Sequence, residues 1–563
     1  MRRPSYIYTR ATTKPHARSS MKRRAHEGDD ASDEDDRERG YRRTGVVANA
    51  DARAGAFAAT RARLNEQFLS HIKEIFARDS SSFIITACRK YVQHAEDLRK
   101  TYADVEEEGK ERDGETRVER GGFVYVWGAG DSGQLGLGGD VDERRRPTRV
   151  NCEELKSNDV ARCAAGGTHT LALRATGAVF SFGNNDGGAL GRVIDKNADP
   201  DAEYNAGRVE MPLSAARVVD IATGDSHGLA RVEDGGVWAW GSFRTTNGEW
   251  AFNPNTLGAS KTMFPFKIYA PKSRDEGAVA IASGVDHALA LTAAGAVYSW
   301  GCGEKGRLGR LDEREAEDND RASDELKKKL LTPARVTFAT RGKGALGSAF
   351  AGEPAMTAIV AGDFHSFAIR ADADGSNSEV YGWGLSNCNQ LGMMDPNPEL
   401  RGDQQVTYFP KRVASLSGKK IVAGDAGTHH SLFLTADGGV IAIGRWTDGR
   451  CGVRDVPAAE DGYLEEPMKV LDLPGRAKKV AAGGVNGGAI LENGDAYVWG
   501  SQYMGQLGLG RREEDAHLPV KMEQTKDMEG LRFHDLSFGG QHASAVLVPV
   551  DEGPKPAAKR ART

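Results

Sequence analysis

Tyr125-Val-Trp-Gly128, Tyr298-Ser-Trp-Gly301 and Tyr497-Val-Trp-Gly500 are three copies of one apolar run that ends on glycine. The same glycine recurs seven times, at Gly128, Gly183, Gly241, Gly301, Gly384, Gly444 and Gly500, at intervals of 55, 58, 60, 83, 60 and 56 residues. A second signature follows each run: a residue that is usually small, then Gly, two residues and His. It reads Ala165-Gly-Gly-Thr-His169, Thr223-Gly-Asp-Ser-His227, Ser283-Gly-Val-Asp-His287, Ala361-Gly-Asp-Phe-His365 and Phe538-Gly-Gly-Gln-His542. One copy carries Asn486 in place of His, and in another His429 and His430 both fit with a one-residue slip. A fixed period of this size marks an array of supersecondary units.

Within a unit, Val124, Val126, Val237 and Trp238 belong to short β-branched and aromatic runs. Leu171 and Leu173, Leu289 and Leu291, and Leu432 and Leu434 alternate with small residues, which is the two-residue period of a strand. The 69 glycines cluster in turns such as Asp131-Ser-Gly-Gln-Leu-Gly136. A unit of this length holds four short strands. Such a sheet is apolar on both faces and needs neighbours. The predicted fold is therefore all-β: a seven-bladed β-propeller of four-stranded antiparallel blades over residues 121–550. The first unit starts at its Trp-Gly strand, and an extra His542-Ala-Ser-Ala-Val-Leu547 strand ends the last. The terminal strands are expected to share one blade and latch the ring, which leaves no long open edge and no reason for an oligomer.

Outside the repeats, residues 1–45 form a charge-patterned tail, predicted to be disordered. It holds eight Arg or Lys and no acid in residues 1–24, then an acidic block from Glu27 to Asp36. Residues 55–108 read as two amphipathic helices, with Leu64, Phe68, Ile72 and Ile75 on one face, then Tyr91, Ala95, Leu98, Tyr102 and Val105. A basic tail, 551–563, closes the chain. Lys22, Arg23 and Arg24, and Lys559, Arg560 and Arg562, are candidate nuclear-import signals, which implies importin as a partner. Both tails also suit DNA phosphates, with binding that weakens steeply in salt.

Net charge is −5, so no global basic field points to nucleic acid. Six cysteines without a CxxC pair argue against a zinc module or a disulfide scaffold. The most apolar stretch, 278–300, is broken by Asp286-His287, so no membrane span is expected. P-loop, GxSxG and HExxH motifs are absent, and neither covalent catalysis nor a cofactor or metal is expected.

The third unit breaks its own rule. Where other units have Gly-x-Leu-Gly, it has Ser242-Phe243-Arg244-Thr245-Thr246-Asn247-Gly248, then Glu249-Trp-Ala-Phe252. A departure from a regular repeat is where function is expected. Asp225 and Asp286 occupy variable slots of the Gly-x-x-His turn and are expected to face solvent on one rim, where carboxylates suit a basic partner and raise its on-rate. His227, His287, His365 and His430 read as buried side chains that hydrogen-bond a neighbouring turn.

The units resemble the regulator of chromosome condensation repeat family. The stretches that carry the resemblance are Gly130-Asp-Ser-Gly-Gln-Leu-Gly-Leu-Gly138, Ser181-Phe-Gly-Asn-Asn-Asp-Gly-Gly-Ala-Leu-Gly-Arg192, Trp240-Gly-Ser-Phe-Arg244, Gly301-Cys-Gly-Glu-Lys-Gly-Arg-Leu-Gly-Arg310 and Trp383-Gly-Leu-Ser-Asn387. The resemblance implies a chromatin-bound nuclear guanine-nucleotide exchange factor for the small GTPase Ran, serving nucleocytoplasmic transport and mitosis. Asp131, His169, Asp225, Asp286, Arg310, His429 and His542 match positions that the family uses for GTPase docking and exchange. Ser242 to Gly248 matches a wedge that inserts beside the GTPase's phosphate-binding loop. The family's wedge has Asp after Arg, and here Thr245 stands in that place. In the long fourth interval, Arg321 matches an Arg offered to the acidic surface of nucleosomal histones, though Glu315, Glu317, Asp318 and Asp320 surround it. Leu64-Asn-Glu-Gln-Phe68, Tyr91 and His94-Ala95 resemble a helical segment of a small nuclear-basket nucleoporin that works with importin and Ran. The alternative is a propeller scaffold without exchange activity. An ultraviolet photoreceptor of the same fold is discarded, because its Gly-Trp-x-His turns need Trp where this chain has Gly, Asp, Val, Asp and Gly.

Overall fold

In the computed structural model each Trp-Gly run becomes the third strand of a four-stranded antiparallel sheet, and each Gly-x-x-His turn joins the first strand to the second. The structure describes residues 121–550, apart from 196, 198, 339–353, 373, 394–404, 457–461 and 512–513. The expectations for the two tails, for the helices over 55–108 and for both import signals lie outside the described residues.

Seven sheets surround one axis. In the second unit the strands are Val160–Ala165, His169–Arg174, Val179–Gly183 and Gly207–Arg208, in that order across the sheet. The third sheet adds a fifth strand, Gly248–Ala251. The closing sheet joins both ends of the ring: Leu531–Phe538 and His542–Pro549 pair with Phe123–Ala129 and Glu143–Arg149. Tyr125 lies opposite Ala545, and Gly128 opposite His542.

Two repeated devices tie each blade to the next. In the first, a buried tryptophan donates its indole N–H to a turn of the preceding blade. Trp127 reaches the Gln506 carbonyl at 2.7 Å, Trp240 that of Ala189 at 2.8 Å, Trp383 that of Arg307 at 2.9 Å and Trp499 that of Arg450 at 3.0 Å. The Leu-Gly of that turn is the socket. Gly309 has φ +68°, and a Cβ there would lie 2.7 Å from the Trp383 ring. Only glycine tolerates both demands.

In the second device, buried imidazoles cross between blades. Nε2 of His227 meets Ser283 Oγ at 2.6 Å, His287 meets Ser366 at 2.8 Å, His365 meets Ser431 at 2.9 Å and His542 meets Thr170 at 2.8 Å. The hydroxyls of Ser431 and Thr170 already donate to the carbonyls of Gln390 and Gln134. A hydroxyl has one proton to give, so Nε2–H is the donor from His365 and His542. The buried reading of His227, His287, His365 and His430 therefore holds. The slip in the repeat is also resolved: His430 is the buried member, opposite Gly444, and its Nε2 lies 3.1 Å from the Asn486 carbonyl.

Candidate functional site

The end of each first strand, the start of each second and the end of each third meet at one rim, as the pairing of His227 with Gly241 shows. Asp131, Asp225, Asp286, His429 and the irregular hairpin all lie at such ends, so the topology gathers them on one side of the ring.

The hairpin grows from the third strand of its blade, which continues to Thr245 (Val237–Thr245) before a two-residue turn and the return strand Gly248–Ala251. Gly248, at φ +117°, reverses the chain with no atom within 4 Å of a would-be Cβ. Ser242 and Phe243 form the root and are fully buried. The Phe243 ring sits 4.7 Å from His227 and 4.6 Å from Phe252, between centroids. Arg244, Thr246 and Asn247 are exposed and Thr245 is half-buried. The exchange of a Gly-x-Leu-Gly turn for a hairpin leaves a mark on the next blade. The Trp300 indole is fully buried, and its N–H has no acceptor among the described residues.

Two carboxylates brace the root, and one corrects the sequence reading. Asp286 does not face solvent; it is 5 % exposed, because the prolonged strand folds over it. Its Oδ1 accepts the Arg244 backbone N–H at 2.6 Å, and its Oδ2 lies 3.6 Å from the buried Arg307 guanidinium. Burial pushes its carboxyl up to about 7, against the opposing pull of Arg307 and of the Arg244 amide. Asp225 is half-exposed, and its Oδ2 lies 3.2 Å from the Arg244 guanidinium. One carboxylate thus holds the backbone of Arg244 and the other holds its side chain.

Asp363 is a member that sequence reasoning missed. It occupies the same slot of its turn as Asp225, which was the available signal, and accepts the Thr428 hydroxyl. Burial raises its carboxyl, with Asp225 adding to the rise and Arg307 and Arg450 opposing it. Asp131 is exposed and accepts Gln134 Nε2 at 3.1 Å. His429 is half-buried; burial lowers its imidazole to about 4, with Arg450 and Arg445 adding to the effect, so it is neutral.

Three expected docking residues are turned inward. His542 is one of the buried imidazoles that bond between blades, and His169 is equally buried, with no hydrogen-bond partner for either ring nitrogen among the described residues. The Arg310 guanidinium reaches Ser299 Oγ at 3.1 Å and the carbonyls of Lys329 and Leu330 at 2.9 and 3.1 Å. Arg192 makes the same clamp two blades earlier, on Ser181 Oγ and the carbonyls of Ala202 and Asn205. Arg310 is therefore a copy of a repeat clamp, a role that only the fold reveals.

Residues 311–331 fold as two short helices, α1 (Glu313–Glu317) and α2 (Asp324–Leu331), capped by Asp312 and Ser323. Arg321 is exposed between them. Its acidic neighbours are partly engaged: Glu315 pairs with Lys329 at 2.6 Å, and Glu317 accepts the Lys305 N–H at 2.7 Å. Among the described residues no cluster of three His, Cys, Asp or Glu could hold a metal, and no helix is long and apolar enough to cross a membrane.

Residues 123–545 match the family model of the RCC1-like domain. The chain is 36 % identical over 433 residues to the human regulator of chromosome condensation, covering 77 % of this chain and 91 % of the relative. It is 29 % identical to the Saccharomyces cerevisiae guanine nucleotide exchange factor SRM1, across 71 % of this chain and 82 % of that one. Among solved structures, it is similar to Saccharomyces cerevisiae Prp20p, studied for its binding to Gsp1p and histones. The TM-score is 0.63 at 27 % identity, covering 77 % of this chain and 93 % of that one. With its seven closed blades, its repeat and its third-blade hairpin, the chain belongs to the regulator of chromosome condensation family.

Proposed function

We propose that the chain is a guanine-nucleotide exchange factor for a Ran-type GTPase and that the hairpin from Ser242 to Gly248 is its wedge. The observation that carries this reading is the placement of that hairpin on the rim that also holds Asp131, Asp225, Asp363 and His429. The name of the yeast relative as an exchange factor supports it. Arg244 and the exposed acids are the docking groups. Asp286 sets the hairpin root; His542 and Arg310 hold the frame beneath, in which His169 is buried.

The chemistry needs no covalent step. If the GTPase binds nucleotide at picomolar Kd, about 16 kcal/mol must be offset. The exchange factor does so by linkage: it binds the nucleotide-free form, and its binding weakens nucleotide by the factor that nucleotide weakens it. A wedge that displaces the phosphate loop removes the amide cradle and the metal site together. Nucleotide entry then ejects the factor, so both directions are accelerated and the excess of GTP sets the outcome.

A nuclear, chromatin-associated monomer with importin and histone partners completes the reading. Solved yeast relatives carry Kap60 or were studied with histones. Arg321 and the basic tails are the groups of this chain suited to the acidic histone surface and to DNA phosphates. The test is release of a fluorescent GDP analogue from Ran with and without the full chain. Strong acceleration is expected, and unchanged release would return the chain to a scaffold role.

A further inference from the structure

The hairpin tip is not free. Thr245 Oγ1 donates to Asp320 Oδ1 at 2.5 Å, and Asn247 Nδ2 donates to the other oxygen of the same carboxylate. These two residues flank Thr246 at the two-residue turn, so one carboxylate spans the reversal. The Thr245 hydroxyl also accepts the Asn247 backbone N–H at 3.3 Å, which closes the tip on itself.

Asp320 comes from another blade, on the segment that makes the fourth interval long. That segment is anchored close by. Asn319 is fully buried; its Oδ1 accepts the Gly303 N–H at 2.8 Å and its Nδ2 donates to the Ala316 carbonyl. Leu308, Leu311, Ala316 and Leu330 form a small apolar core, against which Leu326 and Trp250 of the return strand pack. The hairpin is thus gripped at its tip by the Asp320 carboxylate, and its own Trp250 indole packs along its side on the core of the insertion. Asp320 itself is exposed, and among the described residues no cation lies within ion-pair distance of it, whereas Arg244 is engaged with Asp225. The tip therefore presents an uncompensated negative charge that its own sequence, with Thr245, does not carry.

We propose that Asp320 is the positioning residue of the wedge: the 311–331 insertion delivers it across the blade boundary to order the tip and to supply the anionic group there. This rests on the exchange reading above. A two-stranded projection without such a brace samples many conformers. Pinning it beforehand lowers what must be ordered on docking and keeps the tip in the geometry that displaces the phosphate loop. The long fourth interval then has a purpose in exchange that does not depend on Arg321.

Two measurements test it. In the first, release of fluorescent GDP from Ran is followed with the full chain over a range of concentrations, to separate kcat from KM. Asp320→Ala is expected to lower kcat roughly tenfold with KM within about twofold, the pattern of a lost transition-state contact. Asp320→Asn, which keeps one acceptor oxygen but no charge, should fall between. The double variant Asp320→Ala with Thr245→Asp, which returns a carboxylate to the hairpin, should recover most of the rate. A kcat for Asp320→Ala equal to that of the wild type, or no rescue by the double variant, overturns the proposal. If the wild-type chain itself fails to accelerate release, the exchange reading has failed, and the second measurement still decides the brace. Hydrogen exchange of the amides of residues 244–249, with no GTPase present, should quicken in Asp320→Ala. Unchanged protection refutes the brace.

Discussion

At the scale of single residues, Asp286 shows how far position can outweigh residue type. Its carboxylate is the acceptor at the hairpin root, so on the proposed function Asp286→Ala is expected to release the Arg244 backbone and to cut exchange by at least about tenfold. Stopped-flow release of labelled GDP measures this. Its burial also makes a pH prediction. The carboxyl is raised from 3.8 to about 7 in the fold. The fold therefore binds this proton more tightly than the unfolded chain does. The resulting stability is fully present below pH 3.8 and is lost as pH rises through 7, at about 1.4 kcal/mol per pH unit between those limits. Asp286→Asn, which mimics the neutral acid, should gain stability over the wild type at pH 8 and little at pH 4. Urea midpoints at the two pH values check the sign; an advantage confined to pH 4 would reverse it. Asp225 was readable as a rim carboxylate from its slot alone. The burial of Asp286 was not, because it depends on a strand from the preceding unit lying over it.

At the scale of elements, the hairpin and the Trp sockets respond differently to change. Replacing 244–247 with Gly and Ser removes Arg244 and both donors to Asp320 but leaves Phe243 in the core. Exchange should fall strongly while unfolding free energy shifts by no more than about 1 kcal/mol, as for other exposed sites. Equal losses in both would mean that the hairpin is structural. The sockets are the reverse. Gly309→Ala places a methyl 2.7 Å from the Trp383 ring at a left-handed φ of +68° and should cost about 1–3 kcal/mol. Gly258→Ala, with open space around the new Cβ, should cost almost nothing. Thermal unfolding of the pair is the check. The hairpin was legible as a break in the repeat. The insertion that grips it was legible only as a long interval, because Asp320 and Thr245 are joined by folding, not by spacing.

At the scale of the whole ring, closure and acid lability follow from the same imidazoles. Burial lowers His227, His365, His430 and His542 to about 3, lowers His169 to about 4, and places His287 well below its ordinary value. The fold keeps them neutral, so their contribution is intact above pH 6.5. It is lost as pH falls towards the folded values, at about 1.4 kcal/mol per pH unit for each imidazole. The ring should therefore unfold steeply below about pH 5.5, and replacing His365 with Gln should shallow that slope. An acid transition of unchanged steepness would contradict it. What the sequence by itself determined is the count of blades, their four strands, the shared closing blade and the irregular third turn. Those follow from periodicity, which is local chemistry repeated. Which carboxylate is buried, which arginine is a clamp and which residue reaches the hairpin tip were decided only by the tertiary structure. Radial packing brings residues 75 apart, such as Thr245 and Asp320, into one hydrogen bond, and no spacing along the chain records that approach.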